Sequence, residues 1–214
     1  MCCRYYMESA PELKPFVDQA MRSPLRETMI SKLGRPLKTE GEIRPTDIAP
    51  VVAYSPKSQT PMVYPMVWGF TNPKGSGAPQ LNARAETASM KAFWKKAWKS
   101  HRCIVPASCY FEWEHLTTPD GRKKNGQKYW IQPKGSPVAY LAGLYQIEER
   151  NGIQIPVFTV LTREPGADIA FIHDRMPVIF PKDIIRAWLS PEGVPEKIIK
   201  SANTDMYYEK VISC

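Results

Sequence analysis

The run Leu141-Ala-Gly-Leu-Tyr-Gln-Ile-Glu-Glu-Arg-Asn-Gly-Ile-Gln-Ile-Pro-Val-Phe-Thr-Val-Leu161 decides the fold. Two largely apolar stretches flank Asn151-Gly152. That pair accepts the positive φ needed at both central positions of a type I′ turn, whose twist matches the strands it joins. Leu141–Ile147 and Ile153–Leu161 are therefore read as a hairpin. Working outward, strands are expected over Val138–Ile147, Lys128–Gln132, Met62–Phe70, Val51–Tyr54 and Met176–Phe180. Two more, Cys103–Val105 and Cys109–Trp113, lie on either side of Pro106. Pro119-Asp120-Gly121 marks a turn, with Arg122–Lys124 as a basic loop tip. The abundance of proline, 21 residues, favours short strands and loops, because Pro cannot donate to a ladder.

Helices are expected at three places. Ser9-Ala-Pro-Glu12 reads as a helix start, with Leu13, Phe16, Val17, Ala20 and Met21 at helical spacing. Ala88–Lys99 is the clearest helix: Met90, Phe93, Trp94, Ala97 and Trp98 form one apolar stripe, and Lys91, Lys95 and Lys99 form a solvated face. Pro181–Leu189 starts a third. Ser31–Pro50 and Gly75–Pro79 read as loops. The expectation is an α+β protein: one domain over residues 1–214, with a curved, mainly antiparallel, barrel-like sheet and flanking helices.

The formal net charge of +8 draws polyanions, so nucleic acid is the first partner to consider. No apolar run approaches the ~18 residues that span a bilayer, so no membrane role is expected. The cysteine number is odd, with no CxxC pair and no apolar leader; free thiols and a cytoplasmic location follow. Cys103, Cys109 and a His match no common structural zinc spacing, so no metal is expected, and no cofactor either. Nothing suggests an obligate dimer, so a monomer is expected.

Four segments carry residues suited to chemistry: Cys2-Cys3-Arg4, Asn82 to Thr87, Arg102 to Trp113, and Ile172 to Pro177. If Met1 is removed, Cys2 becomes a 1,2-aminothiol. Its amine condenses with an aldehyde and its thiol then closes a thiazolidine ring on the same carbon; both groups are partly available near neutrality. Such a reaction needs a proton carrier. Glu112 lies in a largely aromatic strand, where desolvation raises a carboxyl pKa. Asn82 and His173 have side chains that orient or polarise an oxygen. Arg4, Arg84 and Arg175 suit phosphate oxygens. From residue type alone, each also has a structural reading: Glu112 as an ion-pair partner, His173 as a core histidine, Asn82 as a turn cap.

Taken together and in this order, the segments resemble the SRAP family, the SOS-response-associated peptidase domain. The matching strings are Cys2 after Met1, Trp68-Gly69-Phe70, Asn82-Ala-Arg-Ala-Glu-Thr87, Arg102-Cys-Ile-Val-Pro106, Phe111-Glu112-Trp113, Ala142-Gly143-Leu144, Phe158-Thr-Val-Leu-Thr162 and His173-Asp-Arg-Met-Pro177. The resemblance implies binding of single-stranded DNA, including junctions with duplex. It implies that Cys2 crosslinks to ring-opened abasic sites as a thiazolidine that shields the lesion. It makes Glu112 the proton-transfer residue and has Asn82 and His173 position the opened sugar. Arg4, Arg84 and Thr162 would hold the backbone, with Trp68 and Trp113 near the bases. A peptidase-like removal of Met1 and a lyase activity belong to the same expectation. The chain departs from the family pattern at Cys3, where Gly is usual. A thiol peptidase built on Cys2, His173 and Glu112, and a non-enzymatic single-strand binder, are the alternatives.

Overall fold

The computed structural model describes residues 3–75 and 77–212. Cys2 lies outside them. In chain order the strands are β1 (Arg4–Met7), β2 (Gly41–Ile43), β3 (Ile48–Ser55), β4 (Thr60–Trp68), β5 (Asn82–Arg84), β6 (Arg102–Ala107), β7 (Cys109–Thr117), β8 (Lys123–Pro133), β9 (Ala139–Arg150), β10 (Ile153–Arg163), β11 (Met176–Pro177), β12 (Ile179–Phe180) and β13 (Met206–Lys210). The helices are α1 (Lys14–Met21), α2 (Pro24–Leu33), α3 (Ala85–Ala88), α4 (Ala92–Ser100), α5 (Ile185–Leu189) and α6 (Pro195–Ile198).

Five strands close a barrel. β9 and β10 form the hairpin, turning at Asn151 (φ 52°) and Gly152 (φ 75°), the two positive values a type I′ turn requires. From β10 the ring continues to β4 in parallel, then to β3, β6 and back to β9, all antiparallel. Closure leaves no free edge among these strands. Gly143 sits where β9 and β10 approach: a Cβ there would stand 2.6 Å from the Thr159 carbonyl oxygen and 2.9 Å from Cys103 Sγ. The second sheet runs β13-β8-β7-β1-β2. Its Tyr5 reaches the barrel, 5.2 Å from the Trp68 ring, which stacks on Phe158 at 6.0 Å. Fully burying each such ring is worth about 1.5–3 kcal/mol. The architecture is thus mixed α+β, as the sequence indicated.

Several local expectations are corrected. The first helix begins at Lys14, not directly after Ser9, and no side chain caps it. Pro15 explains this: at the second helical position its missing N–H is harmless, whereas a start after Ser9 would put it where an i→i−4 bond is due. Residues 31–50 are not one loop, because α2 extends to Leu33 and β2 and β3 begin within the stretch. The stretch 88–99 is broken. The Met90 and Lys91 amides both donate to the Thr87 carbonyl in a turn, and Met90 is 70% exposed rather than part of the stripe. Phe93 and Trp94 then dock on Phe70, while Lys91, Lys95 and Lys99 stay exposed. Residues 176–180 form two short pairings, β11 with β10 and β12 with β9, which bridge the splayed end of the hairpin. Among the described residues no helix is long and apolar enough to cross a membrane.

Candidate functional site

Glu112 is the centre of the arrangement. It sits on β7, opposite Tyr129 of β8, and is 4% exposed. Its Oε1 accepts the Trp113 amide at 3.3 Å. Burial pushes its carboxyl up to about 7; the Trp113 amide opposes that rise and the nearby Asp174 carboxylate adds to it. A carboxyl held there is half-protonated near neutrality and can both give and take a proton.

His173 approaches from the loop after β10. The His115 amide donates to the Ile172 carbonyl at 3.0 Å, tying that loop to β7, and the His115 ring lies 3.8 Å from the His173 ring. His173 is buried, and its Nδ1 faces two partners: the Arg175 amide at 2.9 Å and Asp174 Oδ1 at 2.8 Å. The amide only donates, so a bare Nδ1 suits Arg175 and a protonated Nδ1 suits Asp174. Among the described residues, His115, His173 and Asp174 could hold a metal ion, with ligand atoms within 4.8 Å of one another. Cys103 and Cys109, considered from sequence for zinc, are instead buried on separate strands, with thiols pushed up by that burial.

The Asn82–Arg84 segment is β5, aligned parallel to β10 so that Asn82 faces Val160 and Arg84 faces Thr162. Arg175 clasps this segment to the histidine loop. Its guanidinium donates twice to Glu86, at 2.9 and 2.8 Å, and once to the Thr162 carbonyl at 2.7 Å. The N-terminal strand pairs with β7: Arg4 lies opposite Phe111, on the face away from Glu112, with its guanidinium over the Trp113 ring at 5.4 Å. Cys3 is half-buried, and burial, helped by the Glu112 charge, raises its thiol pKa, which weakens it as a second nucleophile.

The four segments are therefore linked in series, β5 to the His173 loop through Arg175, that loop to β7 through His115, and β7 to β1 by strand pairing, with Cys2 outside the described residues. Arg4 and Arg84 are at least partly exposed, and Trp113 is half-buried. Three sequence expectations need correction. Trp68 is fully buried, stacked on Phe158, with Nε1 donating to the Leu81 carbonyl; it is core. Thr162 is fully buried under Arg175, and the Arg175 guanidinium is already occupied by Glu86. His115, Glu86 and Asp174 were given no role from sequence, although Glu86 and Asp174 lie within the quoted segments. Reading the strand only to Trp113 hid His115, since β7 runs on to Thr117.

The model of the SOS response associated peptidase (SRAP) family matches residues 1–213. The abasic site processing protein YoaM of Bacillus subtilis is 34% identical over 139 residues, covering 63% of this chain and 59% of that protein. YedK of Escherichia coli, named likewise, is 29% identical over 129 residues, covering 60% and 55%. HMCES of Xenopus tropicalis, also an abasic site processing protein by name, is 30% identical over 131 residues, covering 54% and 39%. The match thus spans about 60% or less of these relatives' own lengths. In fold, a solved protein of Bacteroides thetaiotaomicron matches with a TM-score of 0.74 at 23% identity, covering 99% of this chain and 92% of that one.

Proposed function

The chain belongs to the SRAP family, and from that premise we propose that it processes abasic sites in DNA by covalent capture at Cys2. Removal of Met1 exposes the Cys2 amine. The amine adds to the aldehyde of a ring-opened abasic sugar in single-stranded DNA, or at its junction with duplex, giving a carbinolamine. Loss of one water gives the imine. The thiol then adds to the imine carbon, its proton passing to the nitrogen, and the thiazolidine closes. Glu112 gives the proton that lets water leave and takes back the proton that the nitrogen sheds as the imine forms. Asn82 and His173 hydrogen-bond the opened sugar. Arg4 and Arg84 hold the backbone and Trp113 lies against a base; Arg175, through Glu86 and Thr162, positions the β5 segment. Peptidase-like self-removal of Met1 and a lyase step fit the same site.

The observation that carries this reading is Glu112. A carboxyl buried on an aromatic strand and raised to about 7 is suited to imine chemistry at neutral pH, and the His173 loop and the N-terminal strand both join its strand. The names of the three relatives support a role at abasic sites. The test is adduct formation on a denaturing gel with an abasic single-stranded oligonucleotide. The processed protein should give a shifted band. A protein with an extra, unremoved residue before Cys2 should give none. A shifted band of equal intensity from the extended protein would contradict the aminothiol mechanism and favour simple thiol chemistry.

A further inference from the structure

On the face of the second sheet opposite Glu112, one carboxylate gathers several cations. Glu42 of β2 takes Arg4 Nη1 at 2.7 Å and Arg44 Nε at 2.9 Å on Oε1, and Lys128 Nζ at 3.1 Å on Oε2. Lys38 Nζ donates to the Glu42 carbonyl at 3.0 Å and lies 3.5 Å from Asp47 Oδ2. Among the described residues, four cations meet two carboxylates here. Cross-strand pairing puts these groups on one face: Tyr6 opposes Glu42, Arg4 opposes Phe111, and Trp113 opposes Lys128. The same cations border aromatic rings. Lys128 Nζ lies 3.9 Å from the Phe111 ring centre and 5.2 Å from that of Trp113, and Arg4 covers Trp113 from its own strand.

A phosphodiester presents two charged, non-bridging oxygens in a fork much like a carboxylate's, and both recruit guanidinium and ammonium donors. Alternating cations and aromatic faces are what a single strand needs, the cations for its phosphates and the rings for its bases. We propose that Arg4, Lys38, Arg44 and Lys128 form a backbone-phosphate subsite for single-stranded DNA, in which Glu42 stands in for the phosphate until DNA displaces it. The proposal rests on the DNA reading above and extends it: the subsite lies on the face away from Glu112, so it holds a phosphate beside the lesion rather than the reacting sugar. Glu42 then acts as a competitor that weakens binding of any strand long enough to reach the subsite.

The test is the salt dependence of binding to an undamaged oligothymidylate, read by fluorescence anisotropy between about 50 and 200 mM salt. Loss of one phosphate contact to a single strand lowers the slope of log K against log salt by about 0.7. Lys128→Met, which keeps most of the stem, should show that drop. Lys95→Met, the same charge change on exposed α4, should keep the wild-type slope. Glu42→Gln should tighten binding at the low-salt end. A wild-type slope in Lys128→Met, an equal drop in Lys95→Met, or weaker binding by Glu42→Gln would each overturn the proposal. Abasic-adduct formation by the wild-type protein is scored separately. Its absence would remove the capture reading, whereas its presence with an unchanged Lys128→Met slope would remove only the subsite.

Discussion

Replacing Glu112 by Gln should change how stability depends on pH, with a sign set by burial. The carboxyl is raised from its ordinary 4.5 to about 7, chiefly by desolvation. Below about pH 4.5 it is protonated in both folded and unfolded chains, and burying it carries no ionic penalty. Between 4.5 and 7 the unfolded chain ionises first, so the folded state progressively loses stability; above 7 the loss is complete. At about 1.36 kcal/mol per tenfold change in proton affinity, the loss amounts to about 3 kcal/mol. Gln has the same shape and no charge to desolvate. Glu112→Gln should therefore gain about 3 kcal/mol on the wild type between about pH 4 and pH 9. For a chain of this size that is a relative rise in Tm of about 6–12 °C. Thermal melts of both proteins across that range measure it. A stability difference that stays constant with pH, or that grows in favour of the wild type at alkaline pH, would refute the burial argument and with it the assignment of Glu112 as the proton carrier.

Three further outcomes follow from particular contacts. Gly143→Ala puts a methyl 2.6 Å from the Thr159 carbonyl oxygen across the β9–β10 seam, so denaturant titration should show a loss of about 1–3 kcal/mol. Arg102 is buried, and its guanidinium donates to the carbonyls of Trp98, Lys99, Trp188, Ser190 and Gly193. Arg102→Met strands these acceptors and should lower stability by about 3 kcal/mol or more, with a matching fall in Tm. Arg175→Met unclasps Glu86 and the Thr162 carbonyl; about 2 kcal/mol of stability should go, and adduct formation should slow more than single-strand binding weakens, since the loss acts through the position of β5.

The hairpin was legible because Asn151-Gly152 permits few alternatives, and the barrel strands were legible from short apolar runs between Pro and Gly. Closure was not. The β10–β4 pairing joins Phe158 to Trp68 across ninety residues, and no local pattern marks a parallel partner. α2 was missed because it buries only Met29 and so shows no stripe, although Ser23-Pro24 and Gly34 (φ 64°) mark its ends. β5 is three residues long and is defined by its neighbour rather than by its own sequence. At the site, the environment of Glu112 could be anticipated from its aromatic strand. Trp68 and Trp113 looked alike as base contacts, yet strand packing sends one into the core and leaves the other half-exposed beside Arg4. Arg175 looked like a phosphate ligand because a guanidinium suits phosphate and carboxylate equally, and only the fold reveals that Glu86 reaches it first.

The central claim is covalent capture by Cys2, and intact mass spectrometry tests it most directly. Processed protein, with loss of Met1 confirmed, is incubated with a single-stranded oligonucleotide carrying one abasic site. The account predicts a species whose mass is that of protein plus oligonucleotide less one water, absent from Cys2→Ala. No such species from the processed wild-type protein, or the same species from Cys2→Ala, would contradict it.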